Sequence, residues 1–359
     1  MNSENHTYII AEAGVNHNGS LDLALRLIDA AVEAGADAVK FQTFNSKNLA
    51  SSLAKKADYQ RKTTNSEESQ LEMLRKLELS RDFHFKLRDH CDSSKIAFLS
   101  TPFDTDSLRF LTGVMGMKTI KISSGDLTNA PFLLETARLS NQVILSTGMS
   151  SMEEVSDALG VLAYGFLEPS SPPRNHEDFP RSLQSMNGKR ALKERVILLH
   201  CTTEYPAPPS EVNLRAMNSL QETFGLRSGY SDHTRGIHIP IAAVARGACL
   251  IEKHFTLDRN LPGPDHPASL EPQELKAMVA NIRELEMALG DGKKVPTPSE
   301  SPNRDVVRKS LVVERATRMG SPLSLVCKRP GTGISPFEYW KWQGTPANRD
   351  YQEDELLER

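Results

Sequence analysis

Two hydrophobic periods alternate along the first 290 residues or so of the chain. Short runs rich in β-branched and aromatic residues, typical of buried strands, are each followed by a stretch in which apolar residues recur as on one helix face. Eight such runs predict strands at Tyr8–Ala13, Ala38–Thr43, Ala97–Thr101, Thr119–Ser123, Gln142–Thr147, Arg195–Thr202, Ser228–His233 and Cys249–Thr256. The predicted helices include Leu21–Ala34, Asp104–Leu111, Pro131–Leu139, Met152–Tyr164, Ile237–Arg246 and Pro272–Leu289.

Eight strand–helix units in about 280 residues are the expected size of a closed parallel barrel. The fold class is therefore predicted to be α/β, a (β/α)8 TIM barrel. An open doubly wound sheet is the alternative, but no G-x-G-x-x-G turn follows the first strand.

Two segments interrupt the alternation. The stretch Glu168–Lys189 is polar and rich in proline at its start, which predicts a surface loop. Residues 291–308 contain three prolines among polar residues and predict a linker. The expected organisation is a barrel over residues 1–290, this linker, and a small domain over 309–359 that needs a neighbouring surface to pack against.

Composition narrows the class of protein. The 359 residues carry 43 Lys+Arg against 46 Asp+Glu, a net charge of −3, which argues against an obligate nucleic-acid binder. No apolar run approaches the roughly 18–20 residues of a membrane span, and the amino terminus lacks the pattern of a signal peptide. The four cysteines form no C-x-x-C pair, so neither a disulfide framework nor a thiolate zinc site is expected. We expect a cytoplasmic protein without a membrane or nucleic-acid partner.

Polar residues recur at the carboxyl ends of the predicted strands, where barrel enzymes hold their active sites. They are Glu12, Lys40, Gln42, Thr101, Lys121, Ser123, Ser124, Ser146, Thr147, His200, Thr202, Ser231, His233, Glu252 and His254. Residues two apart on a strand share a face, so Lys40 pairs with Gln42, and Glu252 with His254. Two lysines and several hydroxyls at one mouth predict a site for a phosphate or carboxylate.

Two kinds of chemistry remain open at this mouth. Glu12 is expected either to act as a base or substrate ligand, or to form a salt bridge with one of the lysines. His200 and His233, at the ends of adjacent predicted strands, predict a site for a divalent metal such as manganese, magnesium or cobalt. The remaining candidates, His17, His238, His254 and His266, are interpreted as core residues. Cys201 lies on the strand face opposite His200, which argues against a Cys–His nucleophile.

Motifs throughout the chain resemble those of the sialic acid synthases. They are IIAEAGVNHNG (9–19), VKFQTF (39–44), STPF (100–103), KISSGD (121–126), LSTGM (145–149), LHCTTEYP (199–206), GYSDHT (229–234), IEKHFT (251–256) and GPDH (263–266). The tail segments KRPGTGISP (328–336) and ANRD (347–350) resemble the antifreeze-like (SAF) module that ends these enzymes.

The resemblance implies a metal-dependent condensation of phosphoenolpyruvate with an N-acetylated hexosamine, typically N-acetylmannosamine, giving a nine-carbon 2-keto sugar acid and phosphate. Manganese is the expected metal, held by His200 and His233. The implied phosphoenolpyruvate ligands are Lys40, Gln42, Thr101, Lys121, Ser124 and Ser146. Glu12 and Asp126 are the implied catalytic residues beside the aldehyde, although many bacterial members have Glu in place of Asp126. Arg329 is implied to contact the sugar in a partner subunit, within a domain-exchanged homodimer.

Two alternatives stand beside this hypothesis. A legionaminate or pseudaminate synthase would use the same mouth with a diacetamido-trideoxyhexose as acceptor. A non-catalytic carbohydrate- or ice-binding protein is suggested by the antifreeze-like tail alone, but such a protein has no need for the lysines and histidines.

Overall fold

A computed structural model describes residues 6–51, 54, 56, 60, 61, 64 and 68–358. The chain forms two compact units, Met1–Leu289 and Gly290–Arg359. Within the described residues, no helix combines the length and apolarity that a bilayer crossing requires.

The first unit is built around one parallel sheet of eight strands in the order β3-β2-β1-β8-β7-β6-β5-β4. The strands are β1 Tyr8–Gly14, β2 Ala38–Thr43, β3 Ala97–Pro102, β4 Thr119–Ile122, β5 Gln142–Ser146, β6 Val196–Cys201, β7 Arg227–Asp232 and β8 Leu250–His254. Strands β3 and β4 also lie side by side, which brings the two ends of the sheet together as a barrel. The predicted fold class is confirmed, and each predicted strand agrees with an observed strand to within two residues at either end.

Most helices cover the outside of the barrel, and two short ones, Ser46–Leu49 and Gln70–Leu77, contribute residues to the space at the carboxyl ends of the strands. The helices are Leu21–Ala34, Ser46–Leu49, Gln70–Leu77, Arg81–Ser94, Thr105–Arg109 continuing as a π-helix Phe110–Val114, Ala130–Leu139, Met152–Leu167, Asp178–Gln184, Met186–Arg195, Arg215–Phe224, His238–Ala245 and Pro272–Leu289. The helix Leu21–Ala34 shows how the sequence determines where a helix begins and ends. The Ser20 hydroxyl accepts from the amide of Leu23 at its start, and Gly35 ends the helix at a φ of 79°.

Side chains inside the barrel form an apolar lower layer and a polar upper layer. The lower layer consists of Ile10, Ala38, Leu99, Ile144, Ile197, Leu199 and Leu250, which pack on one another. Two residues further along β1, β2, β3 and β5, on the same face, the chain places Glu12, Lys40, Thr101 and Ser146. Strand alternation therefore puts polar groups above a packed base at the carboxyl ends of the strands.

The prediction of a loop over Glu168–Lys189 is wrong for its second half. This half contains the helix Asp178–Gln184 and the beginning of the helix Met186–Arg195. The Ser185 hydroxyl caps the second helix by accepting from the amide of Gly188 at 2.9 Å. Phe179 and Leu183 pack against the apolar cluster of the preceding helix, so tertiary burial stabilises a segment whose polar composition and prolines suggested a loop.

The second unit contains an antiparallel pair, β9 Ser310–Val313 and β10 Leu325–Lys328. Its small core consists of Leu311, Val313, Leu323, Leu325, Ile334, Ala347, Tyr351 and Leu357. Short helices lie at Ser301–Val307 and Tyr339–Trp342. The segment 291–308, predicted to be a linker, thus carries a helix and belongs to this unit.

Candidate active site

A cavity of about 300 Å³ opens at the carboxyl ends of the strands. All eight strands contribute to its lining, with Glu12, Lys40, Gln42, Thr101, Lys121, Ser146, Cys201, Ser231, Glu252 and His254. Ser124 and His233 line it from the loops that follow β4 and β7. The cavity therefore brings together eight of the residues that the sequence placed in the site: Glu12, Lys40, Gln42, Thr101, Lys121, Ser124, Ser146 and His233.

Four charged side chains form the floor of this cavity: Glu12, Lys40, Lys121 and Glu252. Lys40 Nζ lies 2.6 Å from Glu12 Oε2 and 3.5 Å from Glu252 Oε2. Lys121 Nζ lies 3.6 Å from Glu252 Oε1. All four residues are at most 5% exposed. Two ammonium groups thus face two carboxylates, so the formal charge of this floor is zero when all four are ionised. A salt bridge to a lysine, one of the two alternatives left open for Glu12, is present. Glu252, which the sequence placed at a strand end without a role, is the second carboxylate of the floor.

Burial and neighbouring charges shift the pKa values of the two carboxylates, Glu12 and Glu252, in opposite directions. Burial raises the pKa of Glu12 to about 7, and Lys40 opposes that rise. Burial would also raise the pKa of Glu252, but Lys121 and Lys40 outweigh it and the pKa is lowered. Glu12 is therefore the carboxylate that takes up a proton more readily when further negative charge enters the cavity.

Hydroxyl groups surround the two lysines. Lys40 donates to Thr101 Oγ1 at 2.9 Å, and Lys121 donates to Ser146 Oγ at 2.7 Å. Ser124 Oγ accepts from the amide of Gly148 at 2.9 Å. A Cβ at position 148 would lie only 2.8 Å from Ser124 Oγ, so a glycine is needed for this loop to approach the site. Each lysine is thus held with its hydroxyl partner beside the cavity.

Two histidine rings, His233 and His254, face each other at the mouth with centroids 5.6 Å apart. His233 Nδ1 donates to the carbonyl of Thr202 at 2.6 Å, which leaves Nε2 as the lone-pair nitrogen of the neutral ring. His254 Nδ1 is buried and has no hydrogen-bond partner among the described residues. Burial lowers the pKa of both rings, that of His233 to about 4. Two neutral imidazoles, one held by a backbone carbonyl, fit a divalent metal site.

His200 does not share this site. Its Nε2 donates to the carbonyl of Val212 at 2.6 Å, and its ring lies 5.9 Å from that of Tyr230, on the outer face of the barrel wall. The next residue, Cys201, faces the cavity instead. The prediction that His200 and His233 hold one ion is wrong because strand alternation turns His200 outward. The interpretation of His254 as a core residue is also wrong, because alternation along β8 turns His254, like Glu252, into the cavity.

Two further predicted residues lie elsewhere. Asp126 is half-buried in the short 3-10 helix Ser124–Asp126 and accepts from Asn129 Nδ2 at 3.2 Å; it does not line the cavity. Arg329 lies in the second unit, where its Nε donates to the carbonyl of Val307 at 3.0 Å. The role of Arg329 in sugar binding stays a prediction.

One side of the cavity is apolar and was not predicted from the sequence. This apolar wall consists of Val15, Leu49, Ala50, Met73, Leu74, Leu77 and Phe103. The helix Gln70–Leu77 supplies three of these residues, and a capping box formed by Ser69 and Glu72 begins that helix. Serine three residues before glutamate, followed by apolar residues, is the signal in the sequence that indicates this helix. Asp265, whose pKa burial raises to about 6, lines the same cavity near His254.

A parallel barrel with lysines, carboxylates, hydroxyls and a histidine pair at its carboxyl end defines an α/β-barrel enzyme for a small anionic substrate. Residues 27–294 match the sequence profile described as the NeuB family, and the chain belongs to this family.

Named relatives agree with this assignment. The chain is 51% identical to the N,N'-diacetyllegionaminic acid synthase of Campylobacter jejuni, with 98% of each chain covered. It is 45% identical to the enzyme of the same name from Legionella pneumophila, covering 92% of this chain and 87% of that one. Among solved structures, the N-acetylneuraminic acid synthetase of Leptospira borgpetersenii matches with a TM-score of 0.66 and 36% identity, over 83% of this chain and 90% of that chain. The chain is thus a nonulosonate synthase.

Proposed function

We propose that the protein condenses phosphoenolpyruvate with a diacetamido-trideoxyhexose and water, giving a nine-carbon 2-keto sugar acid of the legionaminate type and inorganic phosphate. The observation that carries this proposal is one cavity with a charged, hydroxyl-rich floor and an apolar wall. Relatives at 51% and 45% identity named as diacetyllegionaminic acid synthases support this acceptor over N-acetylmannosamine. The acceptor expected first from the sequence is therefore the less supported of the two.

The floor of the cavity would bind phosphoenolpyruvate. Lys40 with Thr101, and Lys121 with Ser146, are two preformed pairs of donors for phosphate and carboxylate oxygens. Gln42 and Ser124 line the same cavity and would complete the set. Because the lysines already face Glu12 and Glu252, binding a polyanion there needs further positive charge or a proton on Glu12.

His233 and His254 would hold a divalent cation, for which we propose manganese, with magnesium or cobalt as alternatives. Such a cation acts as a Lewis acid towards a carbonyl oxygen. The hydrogen bond from His233 to Thr202 fixes the ring so that its free nitrogen is available. With only two protein ligands, the remaining coordination positions are left for water and substrate.

In the reaction, the methylene carbon of phosphoenolpyruvate forms a bond to the aldehyde carbon of the sugar. Water adds to the former enol carbon, and the tetrahedral intermediate then breaks its bond to the phosphate oxygen to leave a ketone. One water proton is released on addition, which balances the proton gained by the aldehyde oxygen, and the second water proton leaves with the phosphate as the ketone forms. Glu12, with its raised pKa, is the group placed in the cavity to accept the water proton or to stabilise positive charge on the enol carbon.

The apolar wall supports a deoxygenated, doubly acetylated acceptor. Met73, Leu74 and Leu77 present side chains to the cavity from one helix. A methyl at the sugar terminus and two acetamido methyls release water on contact with such a surface, whereas a terminal hydroxyl there would lose a hydrogen bond. The wall therefore favours the diacetamido-trideoxyhexose over N-acetylmannosamine.

Further expectations about the assembled enzyme remain part of this proposal. The second unit would be an antifreeze-like module, Arg329 would contact the acceptor, and the chain would act as a domain-exchanged homodimer in the cytoplasm. Asp126 would assist through the loop after β4, where it holds Asn129 and Ser123. Light scattering of the purified protein tests the dimer.

An acceptor panel tests the function. Purified protein is mixed with phosphoenolpyruvate, Mn²⁺ and either the diacetamido-trideoxyhexose or N-acetylmannosamine, and phosphate release and product mass are followed. We expect kcat/KM to be at least about tenfold higher for the diacetamido sugar, since one or two buried methyls are worth roughly 1–3 kcal/mol. Equal or higher kcat/KM with N-acetylmannosamine would assign the protein to sialic acid synthesis, and phosphate release without any acceptor would contradict a synthase.

A further inference from the structure

Strands β7 and β8 end in two aligned triplets of polar residues. The aligned pairs are Ser231 with Glu252 and Asp232 with Lys253, and His233 and His254 follow directly after them. Alternation turns the first and third pairs into the cavity and the middle pair to the opposite face. On the cavity side, Ser231 Oγ donates to Glu252 Oε1 at 2.9 Å.

The middle pair, Asp232 and Lys253, forms a buried ion pair on the outer face of the barrel wall. Lys253 Nζ lies 2.6 Å from Asp232 Oδ2, and both side chains are 0% exposed. Asp232 also accepts from the amide of Thr234 at 2.9 Å and from its hydroxyl at 3.1 Å. Lys253 donates in addition to the carbonyl of Thr234. The residues on both sides of His233 are thus fixed to the strand that carries His254.

Neither substrate binding nor stability accounts for this ion pair. Neither Asp232 nor Lys253 lines the cavity. A fully buried ion pair contributes little net stability, because desolvation of both charges offsets their attraction, and apolar residues of similar volume often serve as well. The pair does hold the ends of β7 and β8 in register, because Asp232 and Lys253 must remain opposite each other. It therefore opposes sliding or separation of the two strand ends.

We infer that Asp232 and Lys253 are positioning residues that set the separation of His233 and His254 for one divalent cation. This inference rests on the metal site of the proposed function. The pair bonds neither histidine ring and acts through the backbone on both sides of His233 and next to His254. Loss of a partner bonded directly to a metal ligand typically weakens metal binding 10- to 100-fold, and we expect the lower end of that range for this indirect support.

The test uses the full-length protein and Mn²⁺ alone as the probe. The double variant Asp232→Asn/Lys253→Met removes both charges together, so no lone buried charge remains. The control is Asp37→Asn/Arg283→Met, which removes a partly exposed ion pair of 2.8 Å at the opposite end of the barrel. Free Mn²⁺ is measured by electron paramagnetic resonance, and urea unfolding reports stability for each protein.

We expect the Asp232/Lys253 variant to bind Mn²⁺ at least about tenfold more weakly than the wild type, while the control binds within about twofold of it. Wild-type affinity in the Asp232/Lys253 variant would overturn the positioning role and leave the metal site intact. A wild type that binds no Mn²⁺ would overturn the metal site itself, and the positioning role with it. If that double variant does not fold, Asp232→Asn/Lys253→Gln, which also leaves no lone buried charge and keeps hydrogen-bonding groups for Thr234, supplies the same comparison.

Discussion

Replacing either His254 or His200 by glutamine distinguishes the metal site proposed from the structure from the one that the sequence predicts. Glutamine keeps a polar side chain of similar length but removes the imidazole. His254 faces His233 in the cavity, whereas His200 is bonded to the Val212 carbonyl on the outer face of the barrel wall. The two variants therefore make a matched pair on two strands of one barrel, β6 and β8.

The expected losses of Mn²⁺ affinity in the two variants differ by about two orders of magnitude. A site with two protein ligands that loses one imidazole should bind Mn²⁺ at least about 100-fold more weakly, a loss of roughly 2.7 kcal/mol in binding free energy. His200→Gln loses one hydrogen bond, worth about 1 kcal/mol of folding stability, together with its packing on Tyr230. Its Mn²⁺ affinity should stay within about twofold of the wild type.

Isothermal titration with Mn²⁺ measures both affinities, and urea unfolding measures both stabilities. His254→Gln should also lower turnover, whereas His200→Gln should retain it. If His200→Gln loses Mn²⁺ affinity while His254→Gln keeps it, the assignment of the metal to the His233–His254 pair is refuted and the ligand pair predicted from the sequence is restored.

Three other outcomes are expected. With metal removed, stability should fall as the pH drops from about 6.5 to 5, because burial lowers the pKa of His17 to about 3 and of His233 and His266 to about 4, while all three rings protonate freely in the unfolded chain. Each ring costs about 2 kcal/mol at pH 5, and Glu12 and Asp265, whose pKa values are raised to about 7 and about 6, offset part of this loss. An unchanged urea midpoint would contradict neutral burial of the rings. Gly148→Ala should raise the KM for phosphoenolpyruvate at least about tenfold, since its Cβ would lie 2.8 Å from the Ser124 hydroxyl; an unchanged KM argues against that loop as part of the anion site. Arg329→Ala should raise the KM for the acceptor more than that for phosphoenolpyruvate, and equal effects would exclude an acceptor contact.

The fold could be predicted because its signal is repeated in each strand–helix unit. The strand Ala38–Thr43 and the helices Leu21–Ala34 and Pro272–Leu289 have the bounds expected from their hydrophobic pattern. Capping residues such as Ser20 and Gly35 add a local signal for where a helix begins and ends. Anion-binding candidates were also found, because burying a lysine near the end of a strand is costly unless an anionic partner or ligand lies opposite it.

The error at His200 has a physical cause. The strand Val196–Cys201 is apolar on both faces, since one face packs inside the barrel and the other against helices. Without alternation, the sequence does not indicate whether His200 or Cys201 points inward. In contrast, the apolar wall was missed because helix Gln70–Leu77 has only eight residues, too few for its apolar positions to establish a helical period, so its capping box is the clearest signal.

The balanced charges beneath the cavity have a consequence for the order in which the enzyme collects its substrates. A pocket with a surplus of ammonium groups would hold whichever anion is abundant, free phosphate included, whereas this one offers a surplus only when the proposed cation binds at the histidines or Glu12 takes up a proton. Above the pKa of Glu12 we therefore expect ordered addition, with the proposed cation first and phosphoenolpyruvate second. Selectivity among cellular anions would then depend on the order in which cation and anion bind as much as on the shape of the cavity.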